Sequence, residues 1–346
     1  MLELDDSVRS FYSGCDCLVT GGLGFLGSNL SRALVDLGAK VTIVDALLPE
    51  TGGNRWNIDG IEDRVDVRIV DVRDAAAMRR LRPGRAVIMN LAGQVSHIDS
   101  MRDPHTDLEI NCWSQLSLLE ACRRHNPGVK VVFAGTRQVY GKPDSLPVTE
   151  RHLVRPTDVN GINKAAGENY HLLYNNVFGI RACSLRLTNV YGPRQLVKHN
   201  RQGFIGWFIR LAVEDRELEI YGDGSQLRDL LFVDDAADAF LRAGASDLVN
   251  GDVFNVGGEP PISHRDLVAL LFEIAGTGRV RFVDWPAEKK RIDIGNFYAD
   301  STKFRTAVGW RPRTSLRDGL AASVAYYRQH LAQYLDGAEE RQVPPL

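Results

Sequence analysis

Gly21, Gly24 and Gly27 recur at every third position of a TGGLGFLG stretch at 20–27. Glycines so spaced let the backbone turn tightly, approach a phosphate and pack a helix closely on a sheet. Apolar residues follow at helical spacing over 25–37 and stop at Gly38, so Phe25 and Leu26 begin a helix. Its first N–H groups are free and its dipole end is positive, which suits a pyrophosphate. A second apolar run at 40–44 ends in Asp45. A carboxylate there accepts hydrogen bonds from an adenosine ribose and repels a 2′-phosphate. The chemistry these residues predict is binding of NAD.

A strand at 15–19 must precede the glycine turn, so that strand, turn and helix form the first half of a βαβ unit. Further strands are expected at 65–70, 86–91, 130–134 and 181–187, with helices at 75–81, 104–124 and 158–177. This alternation predicts an α/β fold, a Rossmann-type doubly wound parallel sheet covered on both faces. Beyond 191–193 the pattern loosens. Helices are expected at 202–213, 234–243, 264–275 and 315–335, and strands at 218–221 and 253–256, the last returning to the main sheet. The NAD-binding domain is read as 1–190 with a returning segment at about 230–258. A smaller C-terminal substrate-binding lobe takes 191–229 and 259–336, and 337–346 reads as a frayed tail. A ligand belongs between the lobes, at the carboxyl ends of the strands.

The chain has 346 residues, 44% hydrophobic and 25% charged, with a net charge of −2. That balance fits a soluble globular protein, with no basic footprint for nucleic acid and no polybasic membrane anchor. No apolar run approaches membrane-spanning length, and the first ten residues are too acidic for a signal peptide. The five cysteines, with no CxxC pair, are expected to be structural thiols in a reducing cytoplasm. Cys15 and Cys17 straddle one strand residue and should point the same way into packing. The eight histidines are scattered without acidic partners at ligand spacing, so no metal site is predicted.

Further motifs follow in order: Asp71-Val72, NLAGQV at 90–95, Asn111, VFAGTRQVYG at 132–141, Lys164 with Glu168, LRLTNVYGPR at 185–194, GDGSQLRD at 222–229 and FNVGG at 254–258. Together with the glycine stretch and Asp45 they resemble the extended short-chain dehydrogenase/reductase family, specifically its NAD-dependent nucleotide-sugar epimerases and dehydratases. The likeness runs from about Cys15 to Tyr327. AGQV and QGFIGWF at 202–208 look most like the epimerases of CDP-linked or UDP-linked sugars. The resemblance implies that Asp71 and Val72 meet the adenine, and that Leu91, Ala92 and Gly93 line the pyrophosphate and nicotinamide ribose. It gives Lys164 the ribose hydroxyls, and Asn189, Arg228 and Arg291 the substrate diphosphate. Gln94 and His97, in the loop after the fourth strand, and Arg137 are expected at the sugar. Arg228 has a rival reading as a surface ion pair with Asp229, and Asn111 is placed behind the ligand as a buried hydrogen-bonding link. A homodimer through the helices at 104–124 and 158–177 is also implied.

One position departs from that pattern. Family members usually carry a tyrosine four residues before the lysine, whose phenolate takes a hydroxyl proton as hydride leaves for NAD. Here that place holds Asn160, and no tyrosine in the chain has a lysine four residues later. An amide is not a base near neutral pH. Thr136, at the family's Ser/Thr position, is expected to orient the sugar hydroxyl, while Lys164 or His97 offers another proton path. Alternatively a sugar carboxylate, paired with Arg137, supplies part of the acid–base chemistry, or the protein binds NAD and a sugar nucleotide without turnover. The family's dehydratases commonly place Asp and Glu directly after the Thr, where Arg137 and Gln138 stand here. Epimerisation, needing only removal and return of hydride, is the activity with the fewest missing parts.

Overall fold

The computed structural model describes residues 4–80 and 84–335, so the predicted helix end at Leu81 and the tail at 337–346 lie outside the described residues. After α1 (Asp6–Tyr12), β1 (Asp16–Thr20) passes through the glycine turn into α2 (Phe25–Asp36) and β2 (Lys40–Asp45). β3 (Val65–Ile69), α3 (Ala75–Arg80) and β4 (Val87–Asn90) follow. Next come α4 (His97–Arg102), α5 (Pro104–Leu108), α6 (Ser114–His125), β5 (Lys130–Thr136), α7 (Val159–Phe178) and β6 (Arg181–Leu187). β4 is buried at every residue and β1 at all but its first, as strands covered on both faces must be.

The remaining chain supplies β7 (Asn189–Tyr191), α8 (Phe204–Val213), β8 (Glu217–Tyr221), β9 (Leu227–Arg228), β10 (Leu230–Phe232), α9 (Val233–Ala245) and β11 (Val253–Val256). It ends with β12 (Ile262–Ser263), α10 (His264–Ala275), β13 (Arg279–Val283), α11 (Ala287–Arg291), α12 (Thr302–Val308), α13 (Leu316–His330) and α14 (Ala332–Leu335). The seven-stranded sheet has the order β11-β6-β5-β4-β1-β2-β3, and every pair in it is parallel. β11 is the expected returning strand, with Phe254 opposite Leu185 of β6. The strand order reverses between β1 and β4, and a crevice opens there at the carboxyl ends. A separate apolar core, including Ile209, Leu218, Leu271 and Tyr327, joins α8, β8, α10 and α13 on the far side of that crevice.

Two local expectations are corrected. The single helix at 104–124 is interrupted by a π-helical turn, Glu109–Trp113, between α5 and α6. Asp103 starts α5 by accepting a hydrogen bond from the Thr106 amide at 3.1 Å. His97 is not in a loop but is the first residue of α4, which Ser96 caps through the Asp99 amide. Among the described residues no helix is long and apolar enough to cross a membrane. All five cysteines are free thiols, and the Cys17 Sγ donates to the Cys15 Sγ at 3.7 Å.

α7 is fixed to the sheet by a buried ion pair. Arg186 Nη2 of β6 lies 2.5 Å from Glu168 Oε1 of α7, and the two side chains are 6% and 3% exposed. Ser184 Oγ donates to the same carboxylate at 2.8 Å. Arg186 Nη1 donates to the Tyr140 hydroxyl, which donates in turn to Asn255 Oδ1, both at 2.7 Å. Removing one member of such a network leaves an uncompensated buried charge. Glu168→Ala should therefore cost about 3–5 kcal/mol in urea unfolding; a loss below about 1 kcal/mol would show that α7 is held by packing alone.

Candidate active site

The sheet crevice and the C-terminal elements enclose a cleft of about 1070 Å³, larger than pockets that hold one small ligand. At its floor Gly21 has φ +68°, and a side chain there would meet the Ala92 backbone at 3.0 Å. A Cβ on Gly27 would lie 2.1 Å from the Gly21 carbonyl oxygen, so α2 approaches the turn as closely as only glycine permits. Thr20 Oγ1 accepts from the Leu91 and Ala92 amides at 3.0 and 3.1 Å and donates to Asn90 Oδ1 at 2.9 Å, joining β1 to β4 beneath the turn. Asp45 accepts from the Leu23 amide at 3.0 Å and the Leu47 amide at 2.9 Å, and burial raises its pKa. Each of its oxygens retains acceptor capacity for a ribose hydroxyl. Phe25, Leu26, Asp71, Val72, Leu91 and Gly93 line the same cleft, with Asp71 held by Arg73 at 2.7 Å.

Farther in, a Cβ at Gly93 would meet Lys164 Nζ at 2.7 Å and Asn111 Oδ1 at 2.9 Å. Asn111, in the π turn, donates to the Gln94 carbonyl at 3.0 Å, while its Oδ1 is buried with no hydrogen-bond partner. A glycine cradle, a ribose-ready carboxylate and an orphaned acceptor beside a lysine are a donor and acceptor set that fits a dinucleotide. Lys164 donates to the Ala134 carbonyl at 3.2 Å and stands 5.0 Å over the Phe133 ring. Burial brings its pKa down to about 8, against a weaker opposing pull from Asp107. His171, behind it, is brought down to about 4 by burial, so it is neutral at pH 7. Its Nδ1 hydrogen goes to the Gly167 carbonyl at 2.8 Å, and its Nε2 accepts from Asn90 at 3.2 Å.

The structure brings Thr136, Asn160, Lys164, Gln94, His97, Arg137, Asn189 and Arg228 into the one cleft. It leaves Arg291 out: that side chain is exposed on α11, and Lys289 of the same helix lines the cleft instead. Thr136 Oγ1 accepts from the Gln138 amide at 3.2 Å, which leaves its O–H free to donate. Asn160 is buried, its amide donating to the Gln94 carbonyl at 2.6 Å and to Asp107 Oδ2 at 3.1 Å. Gln94 Oε1 is itself occupied by the Val95 and Ser96 amides. Arg228 is buried rather than on the surface, and its nearest carboxylate is Asp293 at 3.7 Å rather than Asp229. Arg137 lies over the Phe297 ring, reaches Asn189 Oδ1 at 3.4 Å and keeps Nη1 buried without a partner. Burial and the neighbouring Arg228 lower its pKa to about 9. Two guanidiniums in one sheltered wall create a demand for an anion.

Sequence reasoning gave no role at the site to Asp158 or Asp107, and read Gln138 only as the residue standing where the family's dehydratases carry a carboxylate. Asp158 Oδ2 lies 2.8 Å from His97 Nδ1, while Oδ1 accepts the Gly161 amide at 2.7 Å and caps α7. The cap was signalled by an aspartate at the helix start; its partner, 61 residues earlier, carried no local signal.

Residues 17–257 match the family described as "NAD dependent epimerase/dehydratase family". The chain belongs to that family. It is 34% identical to the UDP-glucose 4-epimerase of Mycolicibacterium smegmatis, over 90% of this chain and 98% of the relative. Against the dTDP-glucose 4,6-dehydratase of Streptomyces griseus the identity is 33%, over 90% and 94%. The solved UDP-glucose 4-epimerase of Thermotoga maritima, with UDP-glucose, superposes with a TM-score of 0.83 at 30% identity, over 91% of this chain and 99% of that one. The α/β fold is thus that of the family, and NAD is its cofactor.

The buried lysine has a measurable consequence. Below pH 8 the folded and unfolded states both carry its proton, and the folded state bears the whole desolvation cost. Between about 8 and the ordinary 10.5 the folded lysine is neutral while the unfolded one is still charged, so stability rises with pH. Lys164→Met, measured without added dinucleotide, should stabilise the fold by on the order of 1–3 kcal/mol at pH 7, with the gain fading toward pH 10.5. A gain that is flat with pH would show that burial does not lower the lysine's pKa in the folded protein.

Proposed function

We propose that this protein is an epimerase that transiently oxidises a hydroxyl-bearing carbon of a nucleotide-linked sugar and returns hydride to the opposite face. NAD supplies the hydride acceptor and donor. The observation that carries the reading is the pair of side chains after Thr136: a guanidinium and an amide line the cleft there, not the acid and base that elimination of water requires. Gly21, Gly24, Phe25, Leu26, Gly27, Asp45, Asp71, Val72, Leu91, Ala92 and Gly93 hold the dinucleotide, and Lys164 its nicotinamide ribose. Thr136 donates to the sugar oxygen. Asn160 occupies the place of the family's tyrosine and, with both amide hydrogens engaged, braces the wall rather than moving a proton. Arg228, Asn189 and Arg137 take the diphosphate of a UDP or CDP carrier.

The reading extends to assembly and compartment. The two helical stretches expected to pair leave Leu108, Trp113, Ile162, Leu173 and Val177 exposed, which supports a homodimer. Five free thiols suit a reducing cytoplasm.

The test is liquid chromatography with mass detection after incubating the protein and NAD with UDP-, CDP-, GDP- and TDP-linked sugars, uronic acids included. A new peak of unchanged mass is expected. Loss of water or of two hydrogens would assign a dehydratase or an oxidase instead, and binding without conversion would favour a non-catalytic role.

A further inference from the structure

We propose that His97 Nε2 is the proton acceptor and donor of the redox step, with Asp158 holding the imidazole in the required tautomer. The inference rests on the preceding reading of a sugar hydroxyl oxidised with NAD. Asp158 presents only acceptors, so the hydrogen between it and His97 belongs to Nδ1, and a lone pair remains on Nε2. The carboxylate cannot swing away, because its other oxygen is bound by the Gly161 amide. The imidazole is 32% exposed while the carboxylate is 4% exposed, so the ring is reachable and its partner sealed. Nε2 lies against the side-chain amide nitrogen of Gln138, which lines the cleft two residues beyond Thr136. A sugar hydroxyl replacing that amide as donor meets the lone pair directly. A base oriented through its second nitrogen by a fixed carboxylate is the arrangement general-base histidines need.

The other candidates in the cleft are less suited. Asn160 is an amide with its hydrogens engaged. His264 is half-buried near Arg228 and Arg137, and desolvation and their charge bring its pKa down to about 3, too low to retain a proton. Lys164 faces Gly93, at the wall assigned to the cofactor. On oxidation the hydroxyl proton passes to His97 Nε2, the hydrogen on carbon leaves with its electron pair to NAD, and a C=O bond forms. The imidazolium is stabilised by Asp158. On return, hydride adds to the other face of that carbonyl and His97 gives its proton back to the oxygen.

The experiment uses the NAD-loaded protein and a sugar nucleotide found by the conversion screen. His97→Ala should lose on the order of 10²–10⁴ in kcat, bind the sugar nucleotide within about threefold of wild type by calorimetry, and regain about tenfold or more with added imidazole. His97→Gln, which still donates to Asp158, should fold like wild type and show the same loss if the alanine variant is unstable. Asp158→Asn keeps a capping oxygen but turns an N–H toward Nδ1, so kcat should fall by about 10²–10⁴ with KM within a few-fold. Retention of turnover within about fivefold in both His97 variants overturns the inference and leaves the epimerase reading standing. Loss of binding together with kcat, and no response to imidazole, also overturns it, in favour of a binding role. Absence of conversion by the wild type overturns the epimerase reading and the inference with it.

Discussion

The contact between Glu168 and Arg186 governs where the cleft's chemical groups stand. It ties the middle of α7 to β6, and through Tyr140 and Asn255 it joins the turn after β5 and the returning strand β11. Lys164 lies one turn before Glu168 on the same helix, and Asn160 one turn before that. Thr136, Arg137 and Gln138 precede Tyr140 on the turn held by the other arm of the network. Both of these walls of the cleft are therefore referred to one pair of charges. Paired charges make a better datum than an apolar contact, because their geometry tolerates little sliding.

The cleft holds charge that folding alone would not favour. Lys164, Arg137 and Arg228 are all brought below their ordinary pKa values by burial, and Arg137 and Arg228 repel each other. Only part of this is offset within the chain, by Asp293, Asp229 and Asp158. Proteins accept such strain where a ligand relieves it, and both occupants expected here are polyanions. The cradle of glycines works by the opposite means, with neutral backbone groups brought close by the lack of side chains.

The sheet and the glycine turn at the cleft floor were legible because their signals are local. Apolar runs, a glycine triplet and a terminal carboxylate each fall within a few residues, and Asp45 and Gly93 reach the cleft as the pattern requires. What was hidden depends on distance or on small changes of helical phase. The π turn adds width at Asn111 without altering composition enough to be read. His97 was read as a loop residue because α4 has only one and a half turns and no sustained periodicity. Arg291 was misplaced for a similar reason: on a five-residue helix, two positions decide whether a cation faces inward or out.

Asp158 uses both carboxylate oxygens as acceptors, one for Gly161 and one for His97. At most helix starts serine, threonine, asparagine and aspartate exchange at little cost, since one oxygen suffices. Here a hydroxyl or an amide offers a single acceptor atom, and glutamate is a methylene too long for the cap. The cap of α7 thus has none of the freedom to drift that its position alone would grant, and a change tolerated elsewhere as neutral would be felt across the cleft.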